Sequence, residues 1–123
     1  MQTGAKLLGR WGEDVAAEYL KKKGYRIVGR NYSCRMGELD IIAEKGRWLA
    51  FAEVKTRKNA DFASAAEFVT ETKRRRIITA ATLWLKQNPA KRQPRFDVIE
   101  VYAPQGVATT RPDIRHMEDA FET

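Results

Sequence analysis

The hydrophobic periods of this chain predict an α/β fold, a mixed central sheet flanked by helices. Three observations carry the prediction. Residues 9–23 and 70–88 repeat their apolar positions at helical spacing. Three β-rich runs lie between them, divided by short polar turns, and a fourth follows the second helix. The order helix, three strands, helix, strand calls for hairpins among the early strands and a crossover to the last, so both senses of pairing are expected.

In the first helix Leu8, Trp11, Val15 and Tyr19 form a stripe that Ala16 and Leu20 widen. Gly24 ends it at the position that tolerates a left-handed backbone. Lys21, Lys22 and Lys23 fall in its last turn, where the helix dipole favours cations, and need no functional explanation. Residues 25–33 form the first strand, interrupted at Gly29. Residues 37–44 form the second, and 47–56 the third and strongest, joined by a short turn around Gly46 into a hairpin. In the second helix Ile77, Ala81, Trp84 and Leu85 share a face, Thr70 caps the start and Pro89 stops the far end. A short helix over 61–69 precedes it. Residues 95–102 carry Phe96, Val98 and Tyr102 on one side and Ile99 and Val101 on the other, which suits a strand covered on both faces. Residues 113–121 add an edge strand. No repeat, low-complexity tract or linker divides the chain, so one domain over residues 1–123 is expected.

Composition narrows the function. Hydrophobic residues make up 43%, enough for a buried core. Lys and Arg number 23 against 16 Asp and Glu, a net charge of +7 with a pI near 9.8. Polyanions are the expected partners, nucleic acid first and an anionic membrane surface second. The single cysteine, Cys34, excludes an intrachain disulfide and a thiolate zinc cluster and fits a half-buried structural thiol. The first residues hold no signal-peptide core, and the longest apolar run, residues 48–52, is too short to span a bilayer. A cytoplasmic protein with no membrane partner is expected. Trp11, Trp48 and Trp84 read as core, and His116 has no partner in the sequence.

The chemistry concentrates in F-A-E-V-K-T-R, residues 51–57. Strand alternation points Glu53 and Lys55 to one face, and Glu38 and Asp40 share a face of the preceding strand. A two-residue turn on Gly46 and Arg47 sets Asp40 opposite Glu53 and Glu38 opposite Lys55. Two carboxylates about 5 Å apart repel by roughly 3 kcal/mol at an effective dielectric near 20. A hard divalent cation would offset that repulsion, and so, in part, would Lys55 alone. Glu13 falls at the edge of the first helix's apolar arc. There it either reaches a site on the sheet or is an ordinary boundary residue. Gly9, Gly12, Ala16 and Ala17 would let that helix lie close to the sheet.

Glu13, then G-E-L-D ending at Asp40, then E-V-K giving Glu53 and Lys55, resemble the PD-(D/E)XK nuclease superfamily, whose restriction-endonuclease-like core runs α-β-β-β-α-β. The similarity is to its archaeal Holliday-junction resolvase-like branch. More narrowly, G-x-x-G-E-D-x-A-A-x-x-L, R-M-G-E-L-D-I-I-A, F-A-E-V-K-T-R and R-F-D-V-I resemble the uncharacterised YraN-like family over about residues 7–121. No proline precedes Asp40; Leu39 stands there, as is common in these branches. The resemblance implies a metal-dependent nuclease that hydrolyses phosphodiester bonds in DNA, branched or otherwise structured DNA by analogy with resolvases. It implies Mg2+, with Mn2+ as the other working ion, held by Asp40, Glu53 and the Val54 carbonyl. Lys55 would orient or activate the attacking water and stabilise charge on the phosphate, and Glu13 would hold a second ion or a water. Glu38 matches the family motif, which assigns it no role, and Lys55 or Arg35 are its candidate partners; Asp97 matches the R-F-D-V motif, and a structural hydrogen-bonding role rather than a catalytic one is expected for it. A homodimer is implied because resolving a junction takes two cuts.

Lys73, Arg74, Arg75 and Arg76 lie in the first turns of the second helix, where cations oppose the dipole. Phosphate contact would account for them, and so would a solvated face paired with Glu67 and Glu71. Lys73 shares a stripe with Ile77 and is the one expected to face the sheet. Arg57 and Lys58 are further backbone contacts just past the triad. Two rivals stand beside the nuclease: a nucleic-acid-binding protein of the same fold without turnover, and a protein-interaction module.

Overall fold

Alternation along the strands sorts the apolar side chains into two layers, one under each helix. The computed structural model describes residues 4–58 and 70–122. Its elements are α1 (Gly4–Lys22), β1 (Arg26–Cys34), β2 (Gly37–Lys45), β3 (Trp48–Arg57), α2 (Glu71–Gln87), β4 (Gln93–Tyr102) and β5 (Asp113–Phe121). The strands form one sheet in the order β1-β2-β3-β4-β5. β3 and β4 run parallel and the other neighbours antiparallel, so α2 is the crossover between the parallel pair. The expected helix over 61–69 lies outside the described residues.

The local signals explain most boundaries. α1 starts at Gly4 rather than at Gly9, because residues 5–8 (Ala-Lys-Leu-Leu) are good helix formers and Gly9 falls in the interior. It ends at Lys22, and Gly24, two residues on, takes the left-handed backbone with φ +95. Thr70 caps α2 by accepting from the Lys73 N–H at 3.2 Å. Gly46 adopts φ +57 in the β2–β3 turn while Arg47 stays at negative φ, the combination of a type II′ hairpin. That turn closes on Lys45↔Trp48 and sets the register on to Ile41↔Ala52.

One layer packs Leu39, Ile42, Leu49, Phe51, Phe96 and Val98 beneath Ile77, Ala80 and Ala81 of α2. Stacked rings carry it across three strands: Phe51 and Phe96 have centroids 5.6 Å apart, Phe96 and Phe121 5.1 Å. The other layer packs Ile41, Ala43, Ala50, Ala52, Ile99 and Val101 beneath Ala16, Ala17 and Leu20 of α1. Trp11 and Trp84 pack half-buried at the margins of these layers. β4 is buried on both faces, as its sequence requires.

Small residues on α1 let the helix settle on the sheet, and Gly12 is the critical one. A Cβ there would stand 1.8 Å from Thr56 Oγ1 and 2.9 Å from Thr56 Cβ, whereas a Cβ on Gly9 would meet nothing within 4 Å. The two glycines should therefore respond oppositely to alanine. Gly9→Ala is expected to stabilise by about 0.5–1 kcal/mol through helix propensity. Gly12→Ala is expected to destabilise by about 1–3 kcal/mol, because overpacking outweighs the same gain. Urea unfolding of the two variants checks both signs.

Candidate active site

The antiparallel ladder of β2 and β3 stops at Ile41↔Ala52. Counting the alternation back from the turn, the next hydrogen bond from β3 would run from the Val54 N–H to the Leu39 carbonyl. Instead the Val54 N–H donates to Asp40 Oδ2 at 2.9 Å. The same rung is irregular on its other side. β1 pairs Arg30↔Ile41 and Tyr32↔Leu39 but skips Asn31 and Asp40, and Asn31 stands at φ +53. Inside-outside alternation breaks there: Leu39 packs in the α2 layer and Ile41 in the α1 layer, although a regular strand would send both to one side. Asp40 thus turns its carboxylate into the fork between β2 and β3. The expected register holds down to Ile41 and is broken at Asp40, so Glu38 is not carried opposite Lys55. Glu38 pairs with neither Lys55 nor Arg35 among the described ion pairs; it faces Ser33 across the β1–β2 ladder.

Glu53 leaves β3 on the α2 side, buried to 8% exposure. Its Oε1 lies 2.8 Å from Lys73 Nζ and 3.9 Å from Lys55 Nζ. Burial and then the Glu53 charge push Asp40 up to about 7, against the pull of the Val54 N–H, and Glu13 adds to the push. Burial lowers Lys55, and the neighbouring Lys73 lowers it further, partly countered by Glu53 and Asp40. Burial works against the charge on Lys73 as well, but its contact with Glu53 outweighs that and raises it. The fork therefore holds two carboxylates and two amines, and the charges around Asp40, Lys55 and Lys73 shift the proton affinity of those three groups.

A cleft of about 680 Å³ opens onto Asp40, Glu53 and Lys73. One wall is the β1–β2 turn with Arg35 and Glu38, the other the start of α2 with Thr70, Thr72 and Arg76. The walls meet where Gly37 lies against α2; a Cβ there would stand 2.8 Å from the Arg76 carbonyl oxygen.

The remaining expected site residues are arranged less compactly. Glu13 approaches from the α1 side, 4.0 Å from Arg30, and lines a separate hollow with Lys6, Arg10 and Asn31. Burial raises it, Arg30 offsets part of that, and the Glu53 charge reaches it through the fork. Among the described residues, no three acidic, histidine or cysteine side chains converge to hold a metal by themselves. Arg74 lies over the Phe121 ring, at 5.6 Å, and does not line the cleft. Arg57 and Lys58 stand at the end of β3. Arg76 lines the cleft and was discoverable, since it follows Lys73 by three on the same helix face. Arg35, in the β1–β2 turn, carried no such signal.

His116, without a sequence partner, has two in the fold. Its Nε2 lies 2.8 Å from Asp97 Oδ2 and its Nδ1 3.1 Å from the Tyr19 hydroxyl. Asp97, fully buried, also accepts two hydrogen bonds from Arg95 at 2.8 Å and one from the Asp119 N–H at 3.1 Å. Burial works to raise Asp97, but the hydrogen bonds from His116, Arg95 and Asp119 outweigh it and hold it below the usual carboxylate value. The cluster ties α1, β4 and β5 together on the α1 face.

The two aspartates should pull the pH dependence of stability in opposite directions. A carboxylate raised in the fold destabilises it as pH rises from its unfolded value to its folded one, so Asp40 is costly above about 7. Without divalent ions at pH 8, Asp40→Asn, which keeps an acceptor for Val54, is expected to stabilise by on the order of 2 kcal/mol. That gain should vanish near pH 4. Asp97 contributes stability above its unfolded value that is lost as pH falls through its depressed folded value, so Asp97→Ala is expected to cost about 3–5 kcal/mol at pH 7. Thermal melts of both variants across pH check the signs.

Comparison with known proteins gives relatives along nearly the whole chain. The model of the family described as "Uncharacterised protein family UPF0102" matches residues 12–101. A UPF0102 protein of Rhodococcus jostii is 45% identical over 93% of this chain and 95% of its own length. One from Nocardia farcinica is 47% identical over 93% of this chain and 88% of its own. One from Geotalea daltonii is 44% identical over 95% and 91%.

Proposed function

Because the chain belongs to the uncharacterised protein family UPF0102, the YraN-like group, whose description names no chemistry, its activity must be argued from the site, and we propose that it is a divalent-cation-dependent nuclease acting on DNA. The observation that carries the reading is the fork itself. Asp40 and Glu53, brought together where the ladder opens, share a buried position with a lysine ammonium already on Glu53. A cation there fits the donor set: Mg2+ is commonly held by one or two carboxylates, with waters and substrate phosphate completing its shell. Lys73 acts as a stand-in for that positive charge. Bound there, Mg2+ or Mn2+ would supply Lewis-acid polarisation and a more acidic water.

The chain's own residues do the rest. Asp40 and Glu53 fix the position of the charge, and the Val54 N–H fixes Asp40. Lys55, whose proton is held less tightly than an ordinary lysine's because of burial and the neighbouring Lys73, is placed to orient the attacking water and to exchange its proton. Arg35, Arg76 and the N-terminal end of α2 line the cleft and would receive the phosphate backbone, the helix end contributing its dipole. The net charge of +7 favours a polyanion over the whole surface. Glu13, across the fork, would serve a second ion or a water. Structured or branched DNA, cut by a homodimer that presents two such sites, extends this reading by analogy with resolvases.

The test is cleavage of flap, junction and linear DNA with Mg2+. The wild type should cut, and Glu53→Ala and Lys55→Ala should each lower the rate at least about a hundredfold. Cutting that persists in both variants marks a contaminating nuclease and refutes the assignment. Salt-sensitive binding without cutting by the wild type would mark a nucleic-acid-binding protein of the same fold.

A further inference from the structure

Glu53 meets two ammonium groups, and they are not equivalent. Lys55 sits two residues along the same strand, and its Nζ stands 3.9 Å from Oε1. Lys73 reaches across from α2, and its Nζ lies 2.8 Å from the same oxygen. Only the second distance is that of a charge-assisted hydrogen bond. Glu53 is 8% exposed, and this contact sets an ammonium directly against its buried carboxylate. A divalent cation on Glu53 needs the lone pairs that the ammonium now holds.

We propose that Lys73 is the resting counter-ion of the site: it occupies the cation position on Glu53, and a divalent ion binds by exchange, with Lys73 giving up the carboxylate. The inference rests on reading Asp40 and Glu53 as a cation site. The side chain of Lys73 is suited to exchange. It is a point charge on a flexible four-carbon stem, 37% exposed along the cleft wall, and the cleft gives it room to move. Its backbone is fixed, because its N–H is held by the Thr70 cap. Lys55 is the less exposed of the two, at 29%, and lies outside the cleft lining, so it stays while Lys73 moves. The site is self-neutralised at rest and binds divalent ions more weakly than two bare carboxylates would.

Calorimetric titration of the full chain with Mn2+ tests this, comparing wild type with Lys73→Met, Lys55→Met and Glu53→Gln. Exchange predicts that Lys73→Met binds roughly tenfold more tightly than wild type, Lys55→Met changes affinity by less than about threefold, and Glu53→Gln loses binding. Equal gains in both lysine variants would mean a diffuse charge effect and overturn the proposal. Unchanged affinity in Lys73→Met overturns the exchange and leaves the cation site standing; no Mn2+ binding by wild type or Lys73→Met overturns both. A measurement on the wild type covers poor folding of the variant. Acylation of Lys73, followed by mass spectrometry, should rise several-fold on adding Mn2+, and an unchanged rate refutes its release.

Discussion

The hydrogen bond from the Val54 N–H to the Asp40 carboxylate is the constraint on which the rest of the site depends. A β-sheet spends its backbone donors on neighbouring strands, and a strand that leaves early strands a donor in the interior. Here the donor is satisfied by a side chain, so β2 can part from β3 without leaving a buried N–H unpaired. That one substitution of acceptor opens the fork and turns Asp40 edgewise. It breaks the rung at which regular alternation would have set Asp40 across from Glu53, on one face with Glu38, yet the two carboxylates stay close enough for the Glu53 charge to raise Asp40. The neighbouring irregularity at Asn31 makes the distortion a property of two strands, and the β1–β2 turn can then swing against α2 to form the cleft wall.

The cost of this arrangement shows in the contrast between the half-buried Asp40 and the fully buried Asp97. Asp97 has three donors around it, one of them a guanidinium, and its environment favours the charged form. Asp40 has one backbone donor and two carboxylate neighbours, and its environment opposes that form. The same residue type is used once to bind elements together and once at the expense of stability. A fold under no demand but stability would place a neutral acceptor under Val54, since Asn satisfies the N–H as well. Like charges held together against desolvation are the pattern expected where a cation is to be received.

Elements whose signal is local were legible in the sequence. The Thr70 cap, the stop at Gly24, the Gly46 turn and the edge strand at 113–121 all depend on residues within a few positions of one another, and the structure forms each of them. The hairpin register was legible for the same reason, because a two-residue turn fixes it. The failure began at Asp40, where a side chain replaces a carbonyl; no pattern of hydrophobicity distinguishes that from a regular rung. His116 was opaque because it and its partners, Asp97 and Tyr19, come from three different elements, and their meeting depends on the β4–β5 register and on where α1 crosses. Lys73 was legible as a residue facing the sheet from its spacing to Ile77. That it would land on Glu53 was not, since this needs the parallel crossover through α2.

The division of labour between layers follows from these constraints. The acids that must keep a fixed spacing, Asp40 and Glu53, stand on adjacent strands, Glu53 held by the β3–β4 ladder and Asp40 by the Val54 N–H. The cations facing them from α2 and the β1–β2 turn sit on long side chains, which can reposition without moving the core. Glu13 belongs to neither group. It lies on the opposite face, where burial raises it and the Glu53 charge adds to that rise. Closing the fork, by giving Val54 its ordinary partner in Leu39, would restore the ladder and turn Asp40 back to one face. The carboxylates would then face each other across a regular rung, and the Val54 N–H would no longer hold Asp40. The missing rung thus decides how Asp40 is held, and with it the geometry in which the proposed chemistry would meet the charged residues around Glu53.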